Sequence, residues 1–257
     1  MSVLETAQAW VEEGRDVALA TVVETWGSAP VPVGGHLVID RSGDFAGSVS
    51  GGCVEAEVIA RAEDVIETGK PELLEFGVAN ETAWGVGLAG GGRSRVLVER
   101  LALSHREKQT LNALLEARAK RRALVLVSPL GGRDEEIVYE DAFDKGHALG
   151  ADLAECFRTG RSRTVETDEG EIFLQTFLPA PRLMIVGATH IGQVLVRLAR
   201  EMGIEPFVID PRTAFATEER FRDVDMIAEW PGEALGKLGL DRRSGVVCLA
   251  HVPDIDD

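Results

Sequence analysis

Apolar residues Val3, Leu4, Ala7, Trp10 and Val11 recur at helical spacing and stop near Gly14, so the chain opens with a helix that buries one face. Ser2 and Glu5 form a capping box at its start. The period then shortens. Residues 18–24 read as a strand, 27–32 as a turn rich in Gly, Ser and Pro, and 36–40 and 45–49 as two strands joined by Arg41, Ser42, Gly43 and Asp44. Ser50, Gly51 and Gly52 break the third strand. Residues 53–68 set Val54, Val58, Ile59, Ala62 and Ile66 on one helical stripe, stopped by Gly69 and Pro71. That spacing puts Cys53 in the first turn of a helix.

Residues 85–92 hold so many glycines that they predict a loop, followed by a strand at 93–101 and a charged helix at 104–121. A strand at 123–128, a turn at Gly131 and Gly132, a helix at 147–159 and strands at 162–166 and 171–178 follow, and Pro179, Ala180 and Pro181 read as a linker. Beyond it the pattern is a short buried strand at 183–186, a helix at 190–202 and a buried strand at 206–209, which is a βαβ unit. Strands at 224–228 and 245–250 complete the pattern. The expected fold class is α/β. An N-terminal α/β domain spans 1–102, a connecting α/β layer of open allegiance spans 103–178, and a Rossmann-like domain spans 182–257. The last is expected to be truncated, since a doubly wound fold builds two βαβαβ halves and only one is present. An unfinished sheet edge makes a homo-oligomer plausible.

Composition narrows the function. Across 257 residues, 27 Lys+Arg stand against 43 Asp+Glu, a formal charge of −16, which repels nucleic-acid phosphate and anionic lipid alike. Neither nucleic acid nor membrane is an expected partner. The three cysteines, Cys53, Cys156 and Cys248, are odd in number and far apart, which argues against a disulfide framework and for a reducing, cytoplasmic setting. No signal peptide and no apolar run of membrane-spanning length is visible.

Three segments carry candidate chemistry. Gly47 to Glu55 reads GSVSGGCVE, a strand, a small-residue turn and a helix start bearing a thiol. Amides at a helix N-terminus favour an anion or a thiolate, so Cys53 suits a nucleophile, a soft-metal ligand or a sulfur carrier. The same pattern also suits a small buried packing residue beside glycines that only turn the chain. Gly91 and Gly92, downstream of Trp84, and Ser28 in Gly27-Ser28-Ala29-Pro30 either face the same pocket or form ordinary surface turns. His36 reads as structural. In the C-terminal part, Gly187, Thr189, His190 and Gly192 lie where a dinucleotide fingerprint is expected, and Asp210 ends the next strand 23 residues after Gly187. Thr189 stands in the second-glycine place, where its Cβ crowds a pyrophosphate, so NAD(P) and a Rossmann domain without nucleotide both remain open. Arg212 pairs in sequence with Asp210 to cap the sheet or clamp a phosphate.

Taken together and in order, Gly27 to Pro30, GSVSGGCVE, Trp84 to Gly92, Leu183 to Gly192 and Asp210-Pro211-Arg212 resemble the XdhC/CoxI family of molybdenum-hydroxylase maturation proteins. The resemblance runs over nearly the whole chain, and GSVSGGCVE is its most specific part. It implies an accessory chaperone, rather than a free-standing enzyme, that binds the molybdenum cofactor (molybdopterin). Such a chaperone assists the cofactor's sulfuration with a cysteine desulfurase and inserts it into a hydroxylase of the xanthine dehydrogenase or carbon monoxide dehydrogenase type. Cys53 is then the sulfur relay or the molybdenum ligand. Ser28, Ser50, Gly51, Gly52, Glu55, Gly91 and Gly92 join it as cofactor-binding positions, with Gly187, His190, Gly192, Asp210 and Arg212 in the Rossmann-like part. Gly90 stands where the family commonly has a cysteine and Val31 where it often has Arg, so Cys53 acts alone. The other readings are an NAD(P)-dependent oxidoreductase and a scaffold that only docks the hydroxylase. Against the former stand Thr189, the missing half-sheet and the lack of an evident acid or base for hydride transfer.

Overall fold

The structure is a computed structural model, describing residues 2–27, 29–52, 54–77, 92–101, 105–130, 135–213, 217 and 219–252. It divides into two compact units, Met1–Leu178 and Pro179–Asp257.

The first unit is built on two antiparallel sheets. In the five-stranded sheet, in the order β3-β2-β1-β5-β4, the strands are β1 (Val17–Gly27), β2 (His36–Asp40), β3 (Phe45–Gly47), β4 (Glu72–Gly77) and β5 (Gly92–Leu101). Helix α2 (Glu55–Thr68) packs Val58, Ala62, Val65 and Ile66 onto Ala18, Ala20, Val22, Val96 and Val98. The small side chains of β1 let the helix sit low on that face, and the alternation of β1 sends Val17 and Leu19 the other way, to Ala7 and Trp10 of α1 (Val3–Glu12). A register shift between Val22 and Glu24 lets β1 continue to Gly27, further than its apolar run suggests.

Residues 103–178 supply the second sheet of this unit, in the order β7-β6-β9-β8, from β6 (Leu124–Pro129), β7 (Glu136–Tyr139), β8 (Arg163–Thr167) and β9 (Gly170–Phe177). Leu153, Cys156 and Phe157 of α4 (Gly150–Thr159) cover one face through Val125, Val127 and Leu174. Leu114 and Ala117 of α3 (His105–Ala119) cover Leu124 and Leu126 on the other. Val23 and Leu97 of the first sheet meet Phe173 of the second, so the sheets share a small core where their faces approach.

The second unit is a parallel four-stranded sheet in the order β12-β11-β10-β13, from β10 (Arg182–Val186), β11 (Glu205–Ile209), β12 (Asp225–Ile227) and β13 (Ser244–Cys248). Third, second, first, fourth is the order of one Rossmann half with the first strand past the reversal point. Alternate residues go to opposite faces: Met184, Val186, Phe207 and Ile209 pack with Ala234 of α6 (Pro231–Leu238), and Ile185 and Val208 with Val196 of α5 (His190–Glu201). Both faces are therefore covered, as a parallel sheet requires. Among the described residues, no helix is long and apolar enough to cross a membrane.

Candidate functional site

Helix α2 begins at Glu55, two residues later than its apolar stripe predicts, and its N-cap Val54 offers no side-chain hydrogen bond to the helix amides. The carboxylate of Glu55 organises the turn instead. Its Oε1 accepts the Ser48 hydroxyl at 2.7 Å and the amides of Val49, Ser50 and Gly51 at 3.2, 2.9 and 3.1 Å. Its Oε2 accepts the Ser50 hydroxyl at 2.5 Å and the amides of Gly52 and Val54 at 2.9 and 3.2 Å. Gly51 and Gly52 have φ of +83° and +115°, which lets successive amides converge on one anion. Burial opposes the charge of Glu55, but the hydrogen bonds from Ser48, Ser50 and the backbone outweigh it and hold the carboxyl well below its ordinary range.

The amides of Ser50, Gly51 and Gly52 are not free for a cofactor phosphate, because the chain supplies its own anion to them. Glu55 is the hub of the turn rather than one more contact along it. The pattern of two serines and two glycines followed by a glutamate was the signal available for this. Cys53, Ser28 and Gly91 lie outside the described residues. Both neighbours of Cys53 are nevertheless anchored, Gly52 and Val54 each donating an amide to Glu55, and Val54 also to the Ser50 hydroxyl at 3.1 Å. Gly92 opens β5 opposite Gly27.

Of the other cysteines, Cys156 lies on the inner face of α4 in the core, where burial pushes its thiol up, and Cys248 is exposed. His36 is structural, as its place in a strand suggests: its Nε2 is hydrogen-bonded with the Gln175 side chain at 2.7 Å, and its ring stacks on Phe177 at 6.5 Å. Burial lowers its pKa to about 4, and the Gln175 bond only partly offsets that.

In the second unit the fingerprint residues gather at the ends of β10 and β11, but they do not fit a dinucleotide. Asp210 is fully buried, and its Oδ2 accepts the Ala188 amide at 2.8 Å and Arg212 Nη2 at 2.8 Å. Its Oδ1 accepts the Arg212 amide and Nε, both at 2.9 Å. A carboxylate has about four acceptor sites, so none is left for ribose hydroxyls. Despite burial, these bonds hold the Asp210 carboxyl below its ordinary range. Thr189 is the N-cap of α5 and accepts from the Gly192 amide at 3.2 Å. Gly187, at φ +105°, is required by the neighbouring chain, since a Cβ there would lie 2.7 Å from the Ala250 nitrogen. His190 starts α5 and is exposed. The glycine pattern thus serves strand and helix packing, and Asp210 with Arg212 fastens the loop to the sheet.

The predicted site residues fall in both units, the turn organised by Glu55 in the first and the ends of β10 and β11 in the second. Among the described residues, no group of three or more His, Cys, Asp or Glu converges as a metal site.

Two family models match the chain, the XdhC and CoxI family over residues 10–77 and the XdhC Rossmann domain over residues 183–257. A Bacillus subtilis (strain 168) protein, named as a probable subunit of xanthine dehydrogenase, is 25% identical over 253 residues, covering 95% of this chain and 74% of the relative. The Escherichia coli (strain K12) protein named "Molybdenum cofactor insertion chaperone PaoD" is 27% identical over 226 residues, covering 88% of this chain and 63% of the relative. A crystal structure described as a xanthine dehydrogenase from Bacillus halodurans shares the fold with a TM-score of 0.73 at 22% identity, over 98% of this chain and 75% of that one.

Proposed function

Because this chain belongs to the XdhC and CoxI family, we propose that it is a maturation chaperone that binds the molybdenum cofactor as cargo and inserts it into a molybdenum hydroxylase. The observation that carries this reading is the similarity to an insertion chaperone over 88% of the chain. The turn organised by Glu55 gives that similarity a physical sense. A thiol that is to hold or pass on a soft metal centre needs a defined position and freedom from competing protein ligands. Glu55 ties down the residues on either side of Cys53 through their backbone, and its own oxygens are saturated by hydroxyl and amide donors.

In this reading Cys53 is the cargo ligand or sulfur relay. A cysteine desulfurase supplies the sulfur, and the client is of the xanthine dehydrogenase or carbon monoxide dehydrogenase type. The dinucleotide-dependent oxidoreductase is set aside, since the carboxylate it needs is occupied by Ala188 and Arg212.

Reconstitution tests the delivery step. Protein purified anaerobically from cells that make the cofactor should activate an apo-hydroxylase, and protein from cells blocked in cofactor synthesis should not. Equal activation by both preparations, or by neither, overturns the proposal.

A further inference from the structure

Between the two sheets of the first unit lies an open cleft of about 770 Å³, within the size range of small-molecule sites. Its floor is ordered by strand register. Arg95 of β5 sits between Glu24 of β1 and Glu75 of β4, and two residues earlier Arg93 sits between Trp26 and Gly77. Arg95 is already committed: its Nη1 reaches Glu24 at 2.9 Å, and its Nη1 and Nη2 grip Glu171 of the second sheet at 2.6 and 2.7 Å. Glu171 lies directly opposite Glu166, also in the cleft, so two like charges face each other across β8 and β9 and only one of them is paired. Among the described residues, neither Glu166 nor Arg93 makes an ion pair or a side-chain hydrogen bond, and Trp26 leaves 46% of its surface exposed.

An exposed indole, an unspent carboxylate and an unspent guanidinium in one cleft define a ligand chemistry. The flat aromatic face accepts a planar heterocycle. The carboxylate accepts two N–H donors from an amino-lactam edge, and the guanidinium takes an anionic tail. We propose that this cleft binds a pterin phosphate, with the ring on Trp26, the amino-lactam edge on Glu166 and the phosphate on Arg93. This rests on the chaperone reading and adds where the organic part of the cargo is recognised. Phosphate alone is a poor ligand, because the carboxylates of Glu24, Glu75, Glu166 and Glu171 outnumber the guanidiniums of Arg93 and Arg95 in the cleft.

Calorimetric titration of the full chain with neopterin monophosphate, neopterin and inorganic phosphate tests this. Neopterin monophosphate should bind, and Glu166→Gln and Trp26→Ala should each weaken it by about tenfold or more, with Trp26→Phe restoring much of the loss. Arg93→Gln should weaken the phosphorylated probe and leave neopterin unchanged. Glu166 and Arg93 are exposed, so the melting temperature should not move in their variants, and Trp26→Phe controls for the packing that Trp26→Ala loses. Absence of saturable binding, equal affinities in all variants, or inorganic phosphate binding as tightly as neopterin monophosphate overturns the assignment. Failure here is separable from failure of the chaperone reading. A wild-type chain that retains molybdenum cofactor on purification, with Glu166→Gln and Arg93→Gln retaining as much, sinks the cleft alone. Probe binding by a chain that never carries cofactor supports the cleft and sinks the chaperone.

Discussion

Glu55 and Ser50 are joined twice, the Ser50 amide donating to Oε1 at 2.9 Å and the Ser50 hydroxyl to Oε2 at 2.5 Å. A side chain at the start of α2 thereby fixes the conformation of the strand end and turn that precede it.

Replacing Glu55 by alanine strands five amides and two hydroxyls, some of them partly solvated, so the expected loss is about 2–4 kcal/mol of unfolding free energy. Glu55→Gln, which keeps one acceptor oxygen, should lose less. The carboxyl is held below its ordinary value of 4.5, so its contribution is fully present above that pH and is lost only as the pH falls further, through its folded-state value. Urea denaturation of the two variants at neutral and acid pH checks both statements.

His36 predicts a pH dependence at milder acidity. Its folded pKa of about 4 lies below the ordinary 6.5, so between those values the unfolded chain binds a proton that the folded chain refuses. Stability should therefore fall as the pH drops from about 6.5 to about 4, by an amount of order 3 kcal/mol, and then level off for this group. In His36→Gln that part of the pH profile should flatten. An unchanged slope would mean that His36 is not the group responsible.

Arg95 pairs with Glu24 in its own sheet and with Glu171 in the second, so it ties the two sheets of the first unit together through Glu171. Its side chain is only 12% exposed, so Arg95→Met should cost about 2–3 kcal/mol at neutral pH by leaving carboxylates unpaired. The deficit should shrink as those carboxylates protonate in acid. Adding Glu171→Gln should recover part of it, a non-additivity that a double-mutant cycle measures directly.

In the second unit, Asp210→Ala should destabilise by about 2–3 kcal/mol, since it frees a buried amide and a guanidinium together. Millimolar NAD(H) or NADP(H) should leave the melting temperature of the wild-type chain unchanged. A shift that saturates with dinucleotide would show that Arg212 can be displaced from Asp210.

Much of this fold is legible in the pattern of residues, because its main elements are long, apolar and clearly punctuated. The capping box of α1 is present, with the Ser2 hydroxyl accepting from the Glu5 amide at 3.4 Å and the Ser2 amide donating to Glu5 at 2.6 Å. The βαβ unit from Arg182 to Ile209 also follows its expected course. What escapes the pattern depends on distant partners. Strand β4, ELLEFG, alternates poorly and gains its place from pairing with β5. Helix α6 is short and carries Gly232 and Gly236, so its propensity is weak and packing against Met184 and Phe207 decides it. The hub role of Glu55 escapes for another reason. A glutamate in the first turn of a helix is expected to complement the helix dipole, and nothing local says that it will gather the amides ahead of it.

The most direct test is the molybdopterin and molybdenum content of the anaerobically purified chain, measured side by side for wild type and Cys53→Ala at equal folded yield. The wild-type protein should carry cofactor and the variant should lose it, with no change in unfolding free energy. Equal cofactor on both proteins, or none on either, would contradict the proposal.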